Sequence, residues 1–398
     1  MDKRTVYCCN PISKVGLQEL PSHYSLVSSI DEADALLVRS ADLKQTDFPG
    51  NIRAIARAGA GVDNIPLNRC SEEGIVVFNT PGANANGVKE LVIAGLMLAS
   101  RDILGGVQWI RENKEDPNIS KDAEKAKKEF AGNEVLGKTL GVIGLGAIGV
   151  LVANSALDLG MKVIGYDPFL SVSSAWKLSG HVKPADSLTE LFENSDYVTI
   201  HVPATSSTVG MLDKSAFTHM KDGVRVLNFA RDTLVDEDAL SDAIISGKVS
   251  RYVTDFATPV VANLPNTIVF PHLGASTEES EDNCAVMAVR QLQDYIDNGN
   301  ITNSVNYPDL NAGVCQTVSR VAILHRNIPN MLRQFTTFFG DLNHNIETLQ
   351  NKAKGEYAYT IIDLSYPLPE NTVKELKSIN GVLRVRVLKG KERIQEVF

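Results

Sequence analysis

The sequence predicts an α/β chain: two parallel sheets flanked by helices, the second doubly wound, closed by a compact α+β module. Three observations carry that reading. Short apolar runs rich in Val and Ile recur at roughly 15 to 30 residue intervals, with polar, helix-like stretches between them. A G-x-G-x-x-G spacing at Gly144, Gly146 and Gly149 stands where one such run meets a helical stretch. Beyond about residue 313 the pattern changes to strand, helix, strand, strand, helix, strand, which is the order of a small βαββαβ unit.

In chain order, TVYCC, ALLVR, IRAIARAG and IVVFNTPG are expected as strands within residues 1 to about 85. ELVIAGLMLASRDILGGVQWI follows, apolar nearly all round, and is expected as one helix at a domain boundary. From residue 139 six further strands are expected: LGVIGLG, KVIGYDP, DYVTIHVP, VRVLNFAR, RYVTDFA and TIVFPHLG. Between them, DSLTELFENS opens with Ser187 and has Glu190 three residues later, a capping-box signature. Strands alternating with helices in this way make a doubly wound sheet. AVMAVRQLQDYIDN, residues 285–298, is an amphipathic helix, and NGNITNSVNYPDLNAG is a linker. In the tail QTVSRVAILHR, IETLQNK, YAYTIIDLS and VLRVRVL are expected strands, IPNMLRQFTTFFGDL and NTVKELKSIN helices.

At 398 residues the chain is long enough for two or three domains with cores of their own. Its net charge is −9 and it has no basic block, which argues against a nucleic-acid or anionic-membrane surface. The five cysteines are odd in number and match no zinc spacing, so free thiols in a reducing compartment and no metal centre are expected. MDKRTVYCCN lacks a signal-peptide core and no stretch reaches 18 apolar residues, so a cytoplasmic protein without membrane contact is expected.

The glycines have separable tasks. Gly144 permits a tight turn, Gly146 lets a diphosphate approach the backbone, and Gly149 allows close packing of helix on strand. The helix N-terminus offers unpaired N–H groups and a positive dipole end. Asp167 ends the next strand eighteen residues after Gly149. There it can accept hydrogen bonds from an adenosine ribose and repel a 2′-phosphate, so NAD is the expected cofactor. Ligands of open α/β sheets sit beyond the carboxyl ends of the strands. The expected strand ends bring Asp167, Val202-Pro203, Ala230-Arg231, Asp255 and His272 to one rim. Arg231 can fork onto a carboxylate and polarise an adjoining carbonyl. His272, behind a rigid proline in VFPHLGAST, is the best-placed of seven histidines to carry a proton near neutral pH.

RAGAGVDNI (57–65), NTPGANANGVKELV (79–92), GKTLGVIGLGAIG (137–149), NFARDTLVDEDAL (228–240) and PHLGASTEES (271–280) occur in this order, and the chain resembles the D-2-hydroxyacid dehydrogenases over nearly its whole length. Within them it is most similar to the branch acting on 3-phosphoglycerate. HRNIPNML with HNIETLQ resembles an ACT domain, a small module that often binds amino acids. The resemblance implies two Rossmann-like doubly wound parallel-sheet domains and a C-terminal ACT-like domain. It implies a discontinuous substrate domain (1–95 and 288–308), an NAD-binding domain (96–287) and the ACT-like domain (313–398). The implied reaction is NAD-dependent oxidation of 3-phosphoglycerate to 3-phosphohydroxypyruvate, the first step of serine synthesis, in a homodimer or homotetramer. The alternatives are a hydroxypyruvate or glyoxylate reductase and a non-catalytic NAD-sensing protein.

Residue by residue, the resemblance makes His272 the acid–base group and Arg231 the ligand of substrate carboxylate and carbonyl. Thr80, Ala147, Ile148, Asp167, Val202, Pro203, Phe229, Ala230, Asp255, Gly274 and Ala275 match cofactor positions, as do Arg231 and His272 themselves, with Asp255 at the nicotinamide end. Arg57 and the backbone at Ala60, Gly61 and Val62 would hold the substrate's phosphate and carboxylate, with Arg39 as a second phosphate contact. His325, Asn327 and Asn345 match L-serine-contacting positions. The sequence also departs from the family pattern. Val260 stands where a glutamate usually orients the histidine, Asp232 replaces a glycine after Arg231, and Asn330 replaces a glycine after Pro329.

Overall fold

A computed structural model describes residues 3–389, and the chain divides into two compact units. Asn84–Ser280 form one; the residues up to Ala83 and those from Glu281 onward form the other.

The first segment folds as β1 (Arg4–Cys8), β2 (Tyr24–Val27), β3 (Ala35–Val38), β4 (Ala54–Arg57) and β5 (Val76–Phe78), with helix α1 (Leu67–Glu72) ahead of β5. The strands pair in parallel in the order β2-β1-β3-β4-β5. Four of the five were expected. β2 is an edge strand of four residues that leaves Leu26 exposed, so it lacks the buried apolar run that marks the others.

The second unit starts after Pro81-Gly82, where Gly82 has a φ of +82°. The long apolar stretch is two helices rather than one: α2 (Ala85–Ser100) and α3 (Ile103–Glu112). Arg101 between them is extended, and the Asp102 carboxylate accepts the Gly105 N–H at 3.1 Å, starting a new helix. All of α2 belongs to the second unit, so the expected boundary at residue 95 falls inside a helix.

The sheet of this unit comprises β6 (Thr139–Ile143), β7 (Lys162–Tyr166), β8 (Lys183–Pro184), β9 (Tyr197–Ile200), β10 (Val224–Asn228), β11 (Val249–Thr254) and β12 (Thr267–Val269). They are parallel in the order β12-β11-β10-β9-β6-β7-β8. The six expected strands are present and the two-residue β8 is extra. Helix α4 (Ala147–Asp158) joins β6 to β7. Helix α5 (Leu188–Asn194) begins at Ser187, whose Oγ accepts the Glu190 N–H at 3.1 Å. Glu190 reaches one residue further back than a capping box requires, to the Asp186 N–H at 2.7 Å. Helices α6 (Glu237–Ile245) and α7 (Pro259–Asn263) follow β10 and β11.

Helix α8 (Glu278–Asn298) starts seven residues before the expected position and carries the chain back into the first unit. The tail is β13 (Ser319–Arg326), α9 (Met331–Asp341), β14 (Ile346–Lys354), β15 (Tyr357–Leu364), α10 (Glu370–Lys377) and β16 (Val382–Lys389), as expected. Its sheet is antiparallel in the order β14-β15-β13-β16. One face, with Val321, Ile323, Ile362 and Leu364, packs on Phe335 and Phe339. The other, with Ala322, Leu324, Tyr359 and Ile361, shares a core with Val6, Phe78 and Leu292. A sheet apolar on both faces needs two covers, so the tail is continuous with the first unit rather than an independent body from residue 313. Among the described residues, no helix is long and apolar enough to cross a membrane.

Candidate active site

The second sheet reverses its strand order between β6 and β9, and the glycine turn lies at that switch point. Gly144 has a φ of +86°, and a side chain there would sit 2.6 Å from the His201 carbonyl. Gly149 is tighter: its Cβ would lie 1.9 Å from the Gly144 carbonyl oxygen. Gly146 is the N-cap of α4 and meets nothing within 4 Å, so space opens over a helix N-terminus that has no side-chain cap. Ala147 is exposed and Ile148 half-buried on the first turn. Asp167 braces this turn by accepting the Leu145 N–H and the Phe169 N–H, both at 2.8 Å. Each feature fits a dinucleotide: a bare N–H cradle, open approach, and a carboxylate held at its edge. Gly149→Ala is expected to weaken NADH at least about tenfold and to cost about 1–3 kcal/mol of stability, because the overlap is with backbone. Fluorescence titration with NADH and urea unfolding would register this, and unchanged affinity would contradict it.

The other strand ends complete the rim. Val202 is half-buried and Pro203 exposed after β9. His201 before them was not singled out in the sequence. Its ring meets Thr199 Oγ1 at 3.0 Å, its Nδ1 is buried with no partner among the described residues, and burial pushes its pKa down to about 3. Phe229 is 5% exposed and stacks against Phe270, so its backbone rather than its ring is available to a ligand. Ala230 and Arg231 form a turn organised by buried Asn228, which accepts the Ala230 N–H at 3.1 Å and donates to the Arg231 carbonyl at 2.8 Å. Sequence reasoning missed Asn228, although a polar residue closing an apolar strand was a usable signal. Asp232, the replacement for glycine, accepts the Thr233 N–H at 2.9 Å and so opens the next turn.

Asp255 is 1% exposed. Its Oδ2 accepts the Gly274 N–H at 2.8 Å, and its Oδ1 is buried with no hydrogen-bond partner among the described residues. Burial raises its pKa, while the Gly274 N–H, His272 and Arg231 all act to lower it. Asp255 therefore lies within electrostatic reach of both His272 and Arg231. A Cβ on Gly274 would stand 3.0 Å from the carboxylate, so glycine lets backbone and Asp255 meet. His272 is exposed and its ring rests on Phe256, centroids 4.7 Å apart. Ala275 follows half-buried. Val260 is exposed on α7, and Thr258 before it donates to the Glu237 carboxylate.

The first sheet has its own rim of strand ends. Arg57 closes β4 and donates through Nε to the Arg39 carbonyl at 3.1 Å. Gly59 leaves room for it, since a Cβ there would be 2.6 Å from the Arg57 Nη1. Ala60 is exposed, Gly61 and Val62 half-buried, and Asn79 donates to the Ala60 carbonyl at 2.6 Å. Arg39 departs from expectation: its guanidinium is paired with Glu281, so a phosphate would have to compete with a carboxylate. Thr80 is fully buried, with its N–H on the Gly59 carbonyl at 3.0 Å, so its side chain is not presented to a ligand.

In the tail, His325 is 2% exposed and satisfied at both nitrogens, by the Arg326 carbonyl and by Thr360 Oγ1, each at 2.8 Å. It is therefore built into the sheet rather than offered to an effector. Asn327 donates to the Gly355 carbonyl at 3.1 Å, and exposed Asn345 to Glu347 at 3.2 Å. Asn330 keeps the backbone that a glycine would provide, with a φ of +68°, a conformation that asparagine tolerates.

The sequence matches the family described as D-isomer specific 2-hydroxyacid dehydrogenase, NAD binding domain, over residues 93–274. It is 39% identical over 280 residues to a hydroxypyruvate reductase of Thermotoga maritima, covering 67% of this chain and 86% of that protein. It is 37% identical over 299 residues to a D-3-phosphoglycerate dehydrogenase of Archaeoglobus fulgidus, covering 73% of this chain and 54% of that protein. The chain spans about half the length of the curated relatives of the latter name that it matches. Among solved structures it is similar to the NAD+-bound 3-phosphoglycerate dehydrogenase of Entamoeba histolytica. That likeness has a TM-score of 0.60 and 27% identity, over 77% of this chain and all of that one.

Proposed function

The chain belongs to the D-isomer specific 2-hydroxyacid dehydrogenase family, and on that premise we propose that it is an NAD-dependent dehydrogenase oxidising 3-phosphoglycerate to 3-phosphohydroxypyruvate. The observation that carries this reading is the shared rim of one sheet. Asp167 and the glycine turn are at one part of it, and Arg231, Asp255 and His272 are at another, with Asp255 in electrostatic reach of the other two.

In this reading Gly144 to Gly149 and Asp167 hold the diphosphate and ribose of NAD. When bound there, NAD would supply the hydride acceptor for C2 of the hydroxyacid. Arg231 binds the substrate carboxylate and polarises the oxygen at C2. His272 takes the hydroxyl proton, and the buried charge of Asp255 favours the imidazolium that results. With Val260 in the usual glutamate position, Asp255 is the carboxylate that acts on this histidine, and it also secures the histidine's loop through Gly274. Arg57 and its loop supply anion binding for a phosphorylated substrate, and the relatives named for phosphoglycerate support that choice.

A second reading, reduction of unphosphorylated hydroxypyruvate or glyoxylate, is favoured by the Thermotoga maritima relative and by Arg39 being paired with Glu281. One assay separates the readings. NADH oxidation is followed with phosphohydroxypyruvate, hydroxypyruvate and glyoxylate in parallel, with and without L-serine. Oxidation with the phosphorylated ketoacid alone is the expected result. Equal or faster oxidation of hydroxypyruvate transfers the assignment to the reductase, and no oxidation with any ketoacid leaves an NAD-binding protein without turnover. Inhibition by L-serine would make the tail an ACT-type effector module.

A further inference from the structure

The first unit holds a cavity of about 470 Å³, lined by none of the residues assigned above, where the tail meets the segment leading into β4. Its walls include Gly50, Asn51, Arg53, Glu73, Lys377, Arg384 and Arg386. Four of these side chains are cationic and one is acidic, in a chain whose overall charge is −9. That local excess runs against the composition of the whole protein.

The arginines are also held in an unusual way. Arg386 donates to the carbonyls of Tyr295 and Ile296, at 3.1 and 2.7 Å, in the last turn of α8, and its guanidinium lies 4.4 Å from the Tyr295 ring centroid. Arg384 donates to the carbonyls of Ile52, of Glu73 at 3.1 Å and of Gly50 at 3.4 Å. Neither forms an ion pair with a carboxylate among the described residues. Arg53 is paired with Asp34 at 3.1 Å, and Asp34 does not line the cavity. Capping carbonyls at helix ends explains where Arg386 docks and accounts for the Glu73 contact of Arg384. It does not neutralise them, because a carbonyl offers a partial charge only. Burial and the neighbouring Arg386 both depress the pKa of Arg53 and Arg384, a cost that a bound anion would offset.

We propose that this cavity is a binding site for a small phosphate-bearing molecule. A phosphate carries nearly two negative charges and three strong acceptor oxygens, which suits a surplus of guanidinium and ammonium groups better than a monocarboxylate does. The volume is in the range of small-ligand pockets and leaves room for a carbon skeleton beside the phosphate. Arg53 stands immediately before β4 and Arg57 is its last residue, so a ligand here would touch the strand that presents the proposed substrate arginine.

The test uses inorganic phosphate as the probe on the full chain, with NADH saturating so that the dinucleotide cradle is filled. Binding is followed by titration calorimetry and by phosphate-dependent thermal stabilisation. Exposed Lys377 is changed in Lys377→Glu and the cavity wall in Arg53→Gln, with Arg57→Gln as the control for the substrate loop. The expected result is millimolar binding to wild type and to Arg57→Gln, weakened at least about tenfold in the other two, with sulfate competing and acetate inert. Absence of binding to wild type, equal affinity in Lys377→Glu, or loss only in Arg57→Gln would overturn the site. Loss of binding in Lys377→Glu is not a folding effect, since that side chain is exposed.

Discussion

Replacing His272 with asparagine lowers turnover of the preferred hydroxyacid by about 10²–10⁴-fold, the usual contribution of a positioned proton carrier. NADH affinity changes little, because the glycine turn and Asp167 are untouched. Asp255→Asn gives a smaller and more informative loss, on the order of tenfold. Asparagine retains an oxygen for the Gly274 N–H, so the loop stays anchored and only the charge is removed. The paired variant loses no more than His272→Asn alone, since Asp255 acts through the ring. Steady-state rates against pH for the three variants measure all of this. Full activity in His272→Asn, or strictly additive losses, would remove His272 and Asp255 from the proposed chemistry.

Arg320→Met destabilises the first unit by about 3–5 kcal/mol, as expected when one half of a buried ion pair is removed. Arg320 is 1% exposed and engages Asp363 through two bonds, Nε to Oδ1 at 2.7 Å and Nη2 to Oδ2 at 2.9 Å. Its remaining donors reach the carbonyls of Asn298, Gly313 and Ala312 at 2.9, 2.6 and 3.2 Å. One guanidinium thus fastens the end of α8, the linker and two tail strands. Without it, Asp363 is left as a buried charge whose only other side-chain donor among the described residues is Thr348, at 3.1 Å. Adding Asp363→Leu to Arg320→Met is expected to recover part of the loss, because the unpaired charge goes too. Urea unfolding gives the comparison, and an unchanged midpoint in Arg320→Met would show that the tail is held by its apolar face alone.

Much of this was legible in the chain. All six expected strands of the second sheet and all six elements of the tail are where the pattern put them, most plainly where a strand such as β9 or β13 is buried on both faces and reads as an apolar run. The glycine turn was legible for a different reason. Each of its glycines answers a local steric demand, which is why Gly149, 1.9 Å from a carbonyl, carries no other residue. Short edge strands such as β2 and β8 were not legible, since they bury too little to impose a pattern.

Side-chain partnership is where sequence reading ended. Arg39 was assigned to phosphate and is paired with Glu281, more than two hundred positions away. His325 was assigned to an effector and is enclosed by Thr360 and a backbone carbonyl. No spacing rule reaches Asp255 Oδ2 and Gly274, which meet only because β11 and the loop after β12 end at the same rim. By itself the sequence determined the element types, the two kinds of sheet and the dinucleotide cradle, because these follow from periodicity and from contacts within a few residues. Only the tertiary structure decided which charges pair, where the unit boundary falls and that the tail is sealed to the first sheet. Those outcomes depend on distances between residues remote in the chain, and composition carries no record of them.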